Sequence, residues 1–345
     1  MTVSMTTPAA TGFSMPAEWA PHDGCLMVWP TRTALWGDQL LAAKRDYAAV
    51  AKAIARFEPV FLVCPPEFSA EAAAACGAGV EIIELPVDDS WARDSGPIFV
   101  RNEVTGEFGV MDFRFNAWGE RWPHAEDAQL AQRLAVHFGL PCFRTSFVLE
   151  GGAFLVDGQG TVYVTEQCLL NPNRNPELTR EEIEVQLKAG LGVDRVIWLP
   201  FGHALDTGPA GTDGHIDGVA QLVGPGRILL EVPSDPESTE YDRSRANRAA
   251  LAAGPDAQGR EIEVVELDVP VGSRVAYANH YLANGAVIVP VGGDEHDAPM
   301  LAALARIYPE REIVGVPGAT IGEGGGGPHC ITQQIPAGVL GVTHR

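Results

Sequence analysis

Basic residues are scarce in this chain. Across 345 residues, 24 Lys and Arg stand against 45 Asp and Glu, for a formal net charge of −21. A nucleic-acid binder needs a basic footprint, so that class is excluded. Cysteines are few and scattered: Cys25, Cys64, Cys76, Cys142, Cys168 and Cys330, with no CxxC or CxxH pair. That spacing supports neither a zinc cage nor a disulfide scaffold. No apolar run approaches the ~20 residues that span a bilayer. The opening "MTVSMTTPAATGFSMPAEW" lacks the basic and apolar regions of a secretory signal. The glycine run at 324–327 is not followed by Lys-Ser/Thr, so it is no phosphate loop. The expectation is a cytoplasmic protein without membrane or nucleic-acid partners. Hydrophobic residues make up 46%, enough to bury a real core, and the acidic balance favours a cationic partner.

The chain contains paired β-branched runs about turn residues. They are 153–166, 218–233 and 279–291, with 96–113 as a longer version; Asp-Gly, Pro-Gly or Asn-Gly supplies the short turns. Helical patterns follow. Residues 178–189 open with Thr179 and Glu182 in capping-box spacing, and 297–307 start at Asp297, read as an N-cap. Third strands are expected at 193–200, 260–270 and 311–317. The first unit fits loosely through "GCLMVWP", a helix near 38–57, "PVFLVCP" and "VEIIELPV", and the second is the least regular. The chain thus reads as an α/β protein of five strand–strand–helix–strand units of roughly 50–65 residues, a period typical of propellers and arrays. Residues 1–345 are expected to form one catalytic domain, with 1–14 flexible.

Polar clusters recur at matching places in these units. "DDSWARDSGP" precedes the first strand of unit two, "LEGG" that of unit three and "GTDGHIDG" that of unit four; "GGGGPHCITQQ" follows unit five. Around a common axis they would bring together Asp94, Glu150, His215, Asp217 and Cys330. Cys330 is a nucleophile only as a thiolate, and His215 exchanges protons near neutral pH. On an extended segment His215 and Asp217 would share a face; His329 would point away from Cys330. Two carboxylates facing one pocket call for a cation, and a planar guanidinium matches carboxylate oxygens in bidentate fashion. Its carbon would then sit above the sulfur.

These segments, with "MPAEW", "VWP", "QCLLNPNRNP" and "YANHYLANGAVIVP", resemble the agmatine deiminase family of guanidine-modifying enzymes from about residue 15 to 336. The resemblance implies a five-bladed α/β propeller (pentein fold) with a central active site. It implies Cys330 as nucleophile, His215 as acid/base, Asp94 and Asp217 as guanidinium ligands, Glu150 orienting the histidine, and Trp91 along the substrate chain. The activity implied is hydrolysis of a C–N bond of agmatine through a cysteine thiouronium intermediate, as in putrescine biosynthesis. Neither metal nor organic cofactor is implied, and a homo-oligomer is compatible with the sequence. The alternatives are a free-arginine or peptidyl-arginine deiminase, the former with Arg93 as carboxylate partner, and a non-catalytic guanidinium- or polyamine-binding propeller. The acidic turn before His215 makes Asp206 and Asp213 acceptors for a distal amine.

Overall fold

The computed structural model describes residues 6–341. Five separate sheets account for its strands. The second sheet contains Ile98–Asn102, Phe108–Arg114 and Cys142–Val148; the third, Phe154–Val156, Thr161–Thr165 and Arg195–Leu199. The fourth contains Ala220–Gly224, Arg227–Pro233 and Glu263–Val269; the fifth, Tyr281–Ala283, Ala286–Val291 and Glu312–Pro317. In each, an antiparallel hairpin is followed by a helix and a parallel third strand. The helix Arg180–Leu191 has the expected reciprocal Thr179–Glu182 capping box.

The loose fit of the first unit has a topological reason. Its first strand comes from the other end of the chain: Thr332–Pro336 pairs antiparallel with His22–Val28, which runs parallel to Val60–Cys64. "VEIIE" is an added fourth strand, Val80–Glu84. Strands from near the two ends of the chain therefore share one sheet.

Packing closes the sheets into a cycle. Cys25 and Met27 join a core with Tyr281 and Ile288 of the fifth sheet, while Leu26 and Val28 join one with Phe99 and Val110 of the second. Val162 and Val164 face the second sheet, and Tyr163 faces the fourth. Ile228 and Leu230 face the third sheet, and Leu229 the fifth. Alternate residues of a strand point to opposite faces, so a strand covered on both sides needs an unbroken apolar run. That is why "CLMV", "VYV" and "ILL" do not alternate with polar residues.

Two boundaries differ from expectation. Of residues 1–14, the first five lie outside the described residues, but Phe13–Ser14 is no loose tail: it pairs with Arg101 and Asn102 at the edge of the second sheet. Asp297 begins its helix one position inside the cap. Its carboxylate accepts from the N–H groups of Gly292, Gly293 and Asp294, tying down the preceding loop. Among the described residues no helix is long and apolar enough to cross a membrane.

Candidate active site

Each sheet delivers polar side chains from the residues just before its first strand. The second supplies Asp94, the third Glu150, the fourth His215 and Asp217, the fifth Asn279, and the first Cys330. None is more than 6 % exposed. Asn279 was not singled out by sequence reasoning, although its place before the strand of the fifth unit matches that of the others.

The sulfur of Cys330 lies 3.3 Å from Asp217 Oδ2 and accepts from Asn279 Nδ2 at 3.1 Å. His215 stands beside it, with Nδ1 3.8 Å from Asp94 Oδ1 and 4.0 Å from Asp217 Oδ1. Its Nε2 is 3.6 Å from Glu150 Oε2. Neither ring nitrogen has a hydrogen-bond partner despite deep burial. The His215–Asp217 segment is not extended: Ile216–Gly218 forms a 3₁₀ turn, which still brings both side chains to the site. Asp94 is aimed by two donors, the Gly152 N–H at 2.9 Å and Trp118 Nε1 at 2.8 Å. Trp118 is a second residue the sequence reading missed.

Two glycines make this closeness possible. A Cβ on Gly152 would lie 2.6 Å from His215 Nδ1 and 2.9 Å from both Asp217 Oδ2 and Asp94 Oδ1. One on Gly326 would lie 2.6 Å from the Trp91 ring and 3.0 Å from Cys330 Sγ. The glycine run thus lets backbone pass directly over the sulfur.

The remaining expected residues divide. Trp91 lines a narrow pocket with Trp118, Trp122, Asp94 and Cys330, which meets a cavity of about 650 Å³ at Cys330. Asp213 and Asp206 are occupied elsewhere. Asp213 pairs with Arg121 at 2.5 Å and Arg174 at 2.8 Å. Asp206 accepts from the N–H groups of Thr212, Gly214 and His215 and so shapes the turn. Their carboxylates hold the loop, and Asp206 also lines the larger cavity at Cys330. Arg93 is 1 % exposed and bonded to Glu18, Gln334 and the His329 carbonyl, so it is not a free carboxylate partner. The His329–Cys330 segment is a turn rather than extended, and both side chains meet the same Asp217 oxygen, His329 Nδ1 at 2.8 Å and Cys330 Sγ at 3.3 Å.

Burial and neighbours set the charges. Burial opposes the charge on His215, but Asp94, with Cys168 and Glu150, outweighs it and holds the imidazole well above its usual pKa. Burial lifts Asp94 to about 6, helped by Asp217 and Glu150 and opposed by His215. Asp217 is lowered despite burial, chiefly by His329. Glu150 is lowered despite burial by Arg174, 2.7 Å away. Burial, Asp217 and Asp94 push the Cys330 thiol well above its ordinary value. Glu150, Cys168 and His215 do bring one donor atom each within 4.8 Å of one another. Arg174 places a cation against that set, which disfavours a metal ion there. The arrangement sets two buried carboxylates, Asp94 and Asp217, beside the Cys330 thiol and the His215 ring.

Comparison with known proteins agrees with this chemistry. The family model for Porphyromonas-type peptidyl-arginine deiminase matches residues 14–336. Agmatine deiminase of Ectopseudomonas mendocina is 41% identical over 98% of this chain and 99% of its own length. That of Stutzerimonas stutzeri is 40% identical over 98% and 99%. The solved agmatine deiminase of Enterococcus faecalis superposes with a TM-score of 0.92 at 35% identity, covering 97% of this chain and 98% of that one.

Proposed function

This chain belongs to the Porphyromonas-type peptidyl-arginine deiminase family, and from that premise we propose that it hydrolyses agmatine to N-carbamoylputrescine and ammonia through Cys330. The observation that carries the reading is the pair Asp94 and Asp217. Both are buried beside the thiol, and among the described residues no lysine or arginine pairs with either. A guanidinium cation fits the gap and puts its carbon at the sulfur.

The chemistry follows from the charges. In the empty site the thiol stays protonated because two carboxylates and burial disfavour the thiolate. A bound guanidinium cancels those charges, and the thiol proton leaves to solvent. The thiolate adds to the guanidinium carbon, giving a neutral tetrahedral adduct. The His215 imidazolium protonates the departing nitrogen, the C–N bond breaks, and ammonia leaves a thiouronium on Cys330. Neutral His215 then takes a proton from water as the oxygen adds to the same carbon. Collapse breaks the C–S bond, releases the ureido product and a proton, and restores thiolate and imidazolium. Glu150, braced by Arg174, orients the ring.

Agmatine is favoured over arginine because the buried carboxylates beside Cys330 repel an α-carboxylate, and a cation on the wall of the larger cavity, Arg243, is bonded to Gln167 and the Gly202 carbonyl. Arg93, Arg121 and Arg174 are each already paired with an acidic side chain. Trp91, Trp118 and Trp122 offer apolar walls for a tetramethylene chain and ring faces for its ammonium. The closed cycle of five sheets supports reading the chain as one catalytic domain, a five-bladed α/β propeller with this site at its centre. Six free cysteines suit a reducing cytoplasm. The test is turnover of agmatine, arginine and a peptidyl arginine by purified protein, with ammonia and ureido product both measured. Agmatine should lead in kcat/KM; arginine or the peptide leading would refute the assignment.

A further inference from the structure

Behind Asp217 lies a buried string of charges that the reaction steps above do not use. His329 Nδ1 is 2.8 Å from Asp217 Oδ2, and its Nε2 is 2.9 Å from Glu18 Oε2. Arg93 Nη1 reaches the other Glu18 oxygen at 3.3 Å. His329 is fully buried, and Glu18, Arg93 and Asp217 are nearly so. A neutral imidazole has one N–H and can donate to only one carboxylate. Two ionised carboxylates at hydrogen-bond distance from the two ring nitrogens are both satisfied only by the imidazolium. The order Asp217, His329, Glu18, Arg93 then alternates in sign and sums to zero, which is how a buried set of charges avoids a large desolvation cost.

We propose that His329 is a positioning residue, held as a permanent imidazolium between Glu18 and Asp217, and that it keeps Asp217 ionised and aimed so that the pocket always presents a carboxylate to the incoming guanidinium. The proposal rests on the reading of Asp217 as a guanidinium ligand. It explains why two acids that face one site differ. Asp94 has only neutral N–H donors and the more distant His215, whereas Asp217 has a cation in contact. The charges agree: Glu18 falls to about 2 despite burial, through Arg93 and His329, and His329 rises despite burial and Arg93, through Glu18 and Asp217. Other titratable groups facing the string include His22 and Tyr308 near Glu18, Cys25 near Arg93, His280 near His329, and His215 and Cys330 near Asp217. Arg93 also donates from Nε to the His329 carbonyl, so the loop that carries Cys330 is clamped to the same string.

Two measurements test this. The first needs no substrate: nitrogen NMR of labelled wild-type protein, with His329→Gln used to assign the resonance. Both His329 ring nitrogens should be protonated from pH 6 to 9. One bare nitrogen at pH 7 would overturn the proposal while leaving the assigned activity untouched. The second is the pH profile of kcat/KM for agmatine in wild type, His329→Gln and Glu18→Gln. The wild-type acid limb is set by Asp94, lifted to about 6; without the imidazolium charge Asp217 should join it, so the limb should steepen toward two protons and move up, about a tenfold loss at a fixed pH below it. The loss should appear in KM more than in kcat and shrink toward alkaline pH. An acid limb that stays in place in variants that fold would overturn the proposal and reduce the string to a structural brace.

Discussion

Replacing Asp94 with asparagine keeps the side chain's shape and removes its charge. Both carboxylate oxygens now accept, one from the Gly152 N–H and one from Trp118 Nε1. An amide has one accepting oxygen, so its NH₂ must face one of those donors. A unit charge pair about 4 Å apart at an effective dielectric near 20 contributes ~4 kcal/mol. Retention of an amide dipole reduces the loss to roughly 3 kcal/mol, or a fall of about a hundredfold in kcat/KM for agmatine. A second signature is independent of that magnitude. Asp94 is the leading neighbour that raises the His215 pKa. His215 must start protonated to deliver a proton to ammonia, so losing Asp94 should draw the alkaline limb of kcat toward lower pH. Steady-state assays from pH 6 to 10, with ammonia as the readout, measure both effects. A variant with wild-type kcat/KM and an unmoved alkaline limb would refute the placement of Asp94 at the substrate.

Other outcomes follow from the same geometry. Gly152→Ala should cut kcat at least a hundredfold with the fold retained by circular dichroism, because its methyl would lie within 3 Å of three site atoms; near-normal turnover would show that the site is looser than described. Ala at Cys25, Cys64, Cys76 or Cys142 should retain turnover, with packing losses of about 1–3 kcal/mol read from denaturant midpoints; loss of activity in a folded variant would point to a second essential thiol. Glu18 has a folded pKa of about 2 against an ordinary 4.5, so its stabilisation is complete above pH 4.5 and disappears as pH falls through 2, a contribution of about 3 kcal/mol. The acid-unfolding slope of Glu18→Gln should be shallower than that of wild type in that window, and an equal slope would contradict the burial and pairing described.

The units could be read from the sequence because hairpin turns and apolar runs are local signals. "VDGQG", "GPG" and "ANG" announced turns that the structure contains between paired strands. What could not be read was the pairing of Thr332–Pro336 with His22–Val28, which joins residues about 300 apart and leaves no local trace. The same limit applies to the site. Cys330, His215, Asp94, Glu150 and Asp217 stood out because polar residues interrupted otherwise regular units. Asn279 and Trp118 did not, since an asparagine before a strand and a tryptophan in an aromatic segment are ordinary locally. The partners of Asp206 and Asp213 were equally hidden: Arg121, Arg174 and the turn's own N–H groups come to them only in the folded chain. Glu18 and His329 meet across more than 300 residues, so their pairing is visible only in three dimensions.

The most direct test of the central claim is the mass of the Cys330 peptide after rapid acid quench of protein mixed with agmatine. The mechanism predicts that this peptide gains the mass of agmatine less ammonia. The gain should appear within the first turnover, decay as substrate is exhausted, and be absent in Cys330→Ala, which should also release no ammonia. Turnover of agmatine with no adduct on Cys330, or ammonia release by Cys330→Ala, would contradict the account.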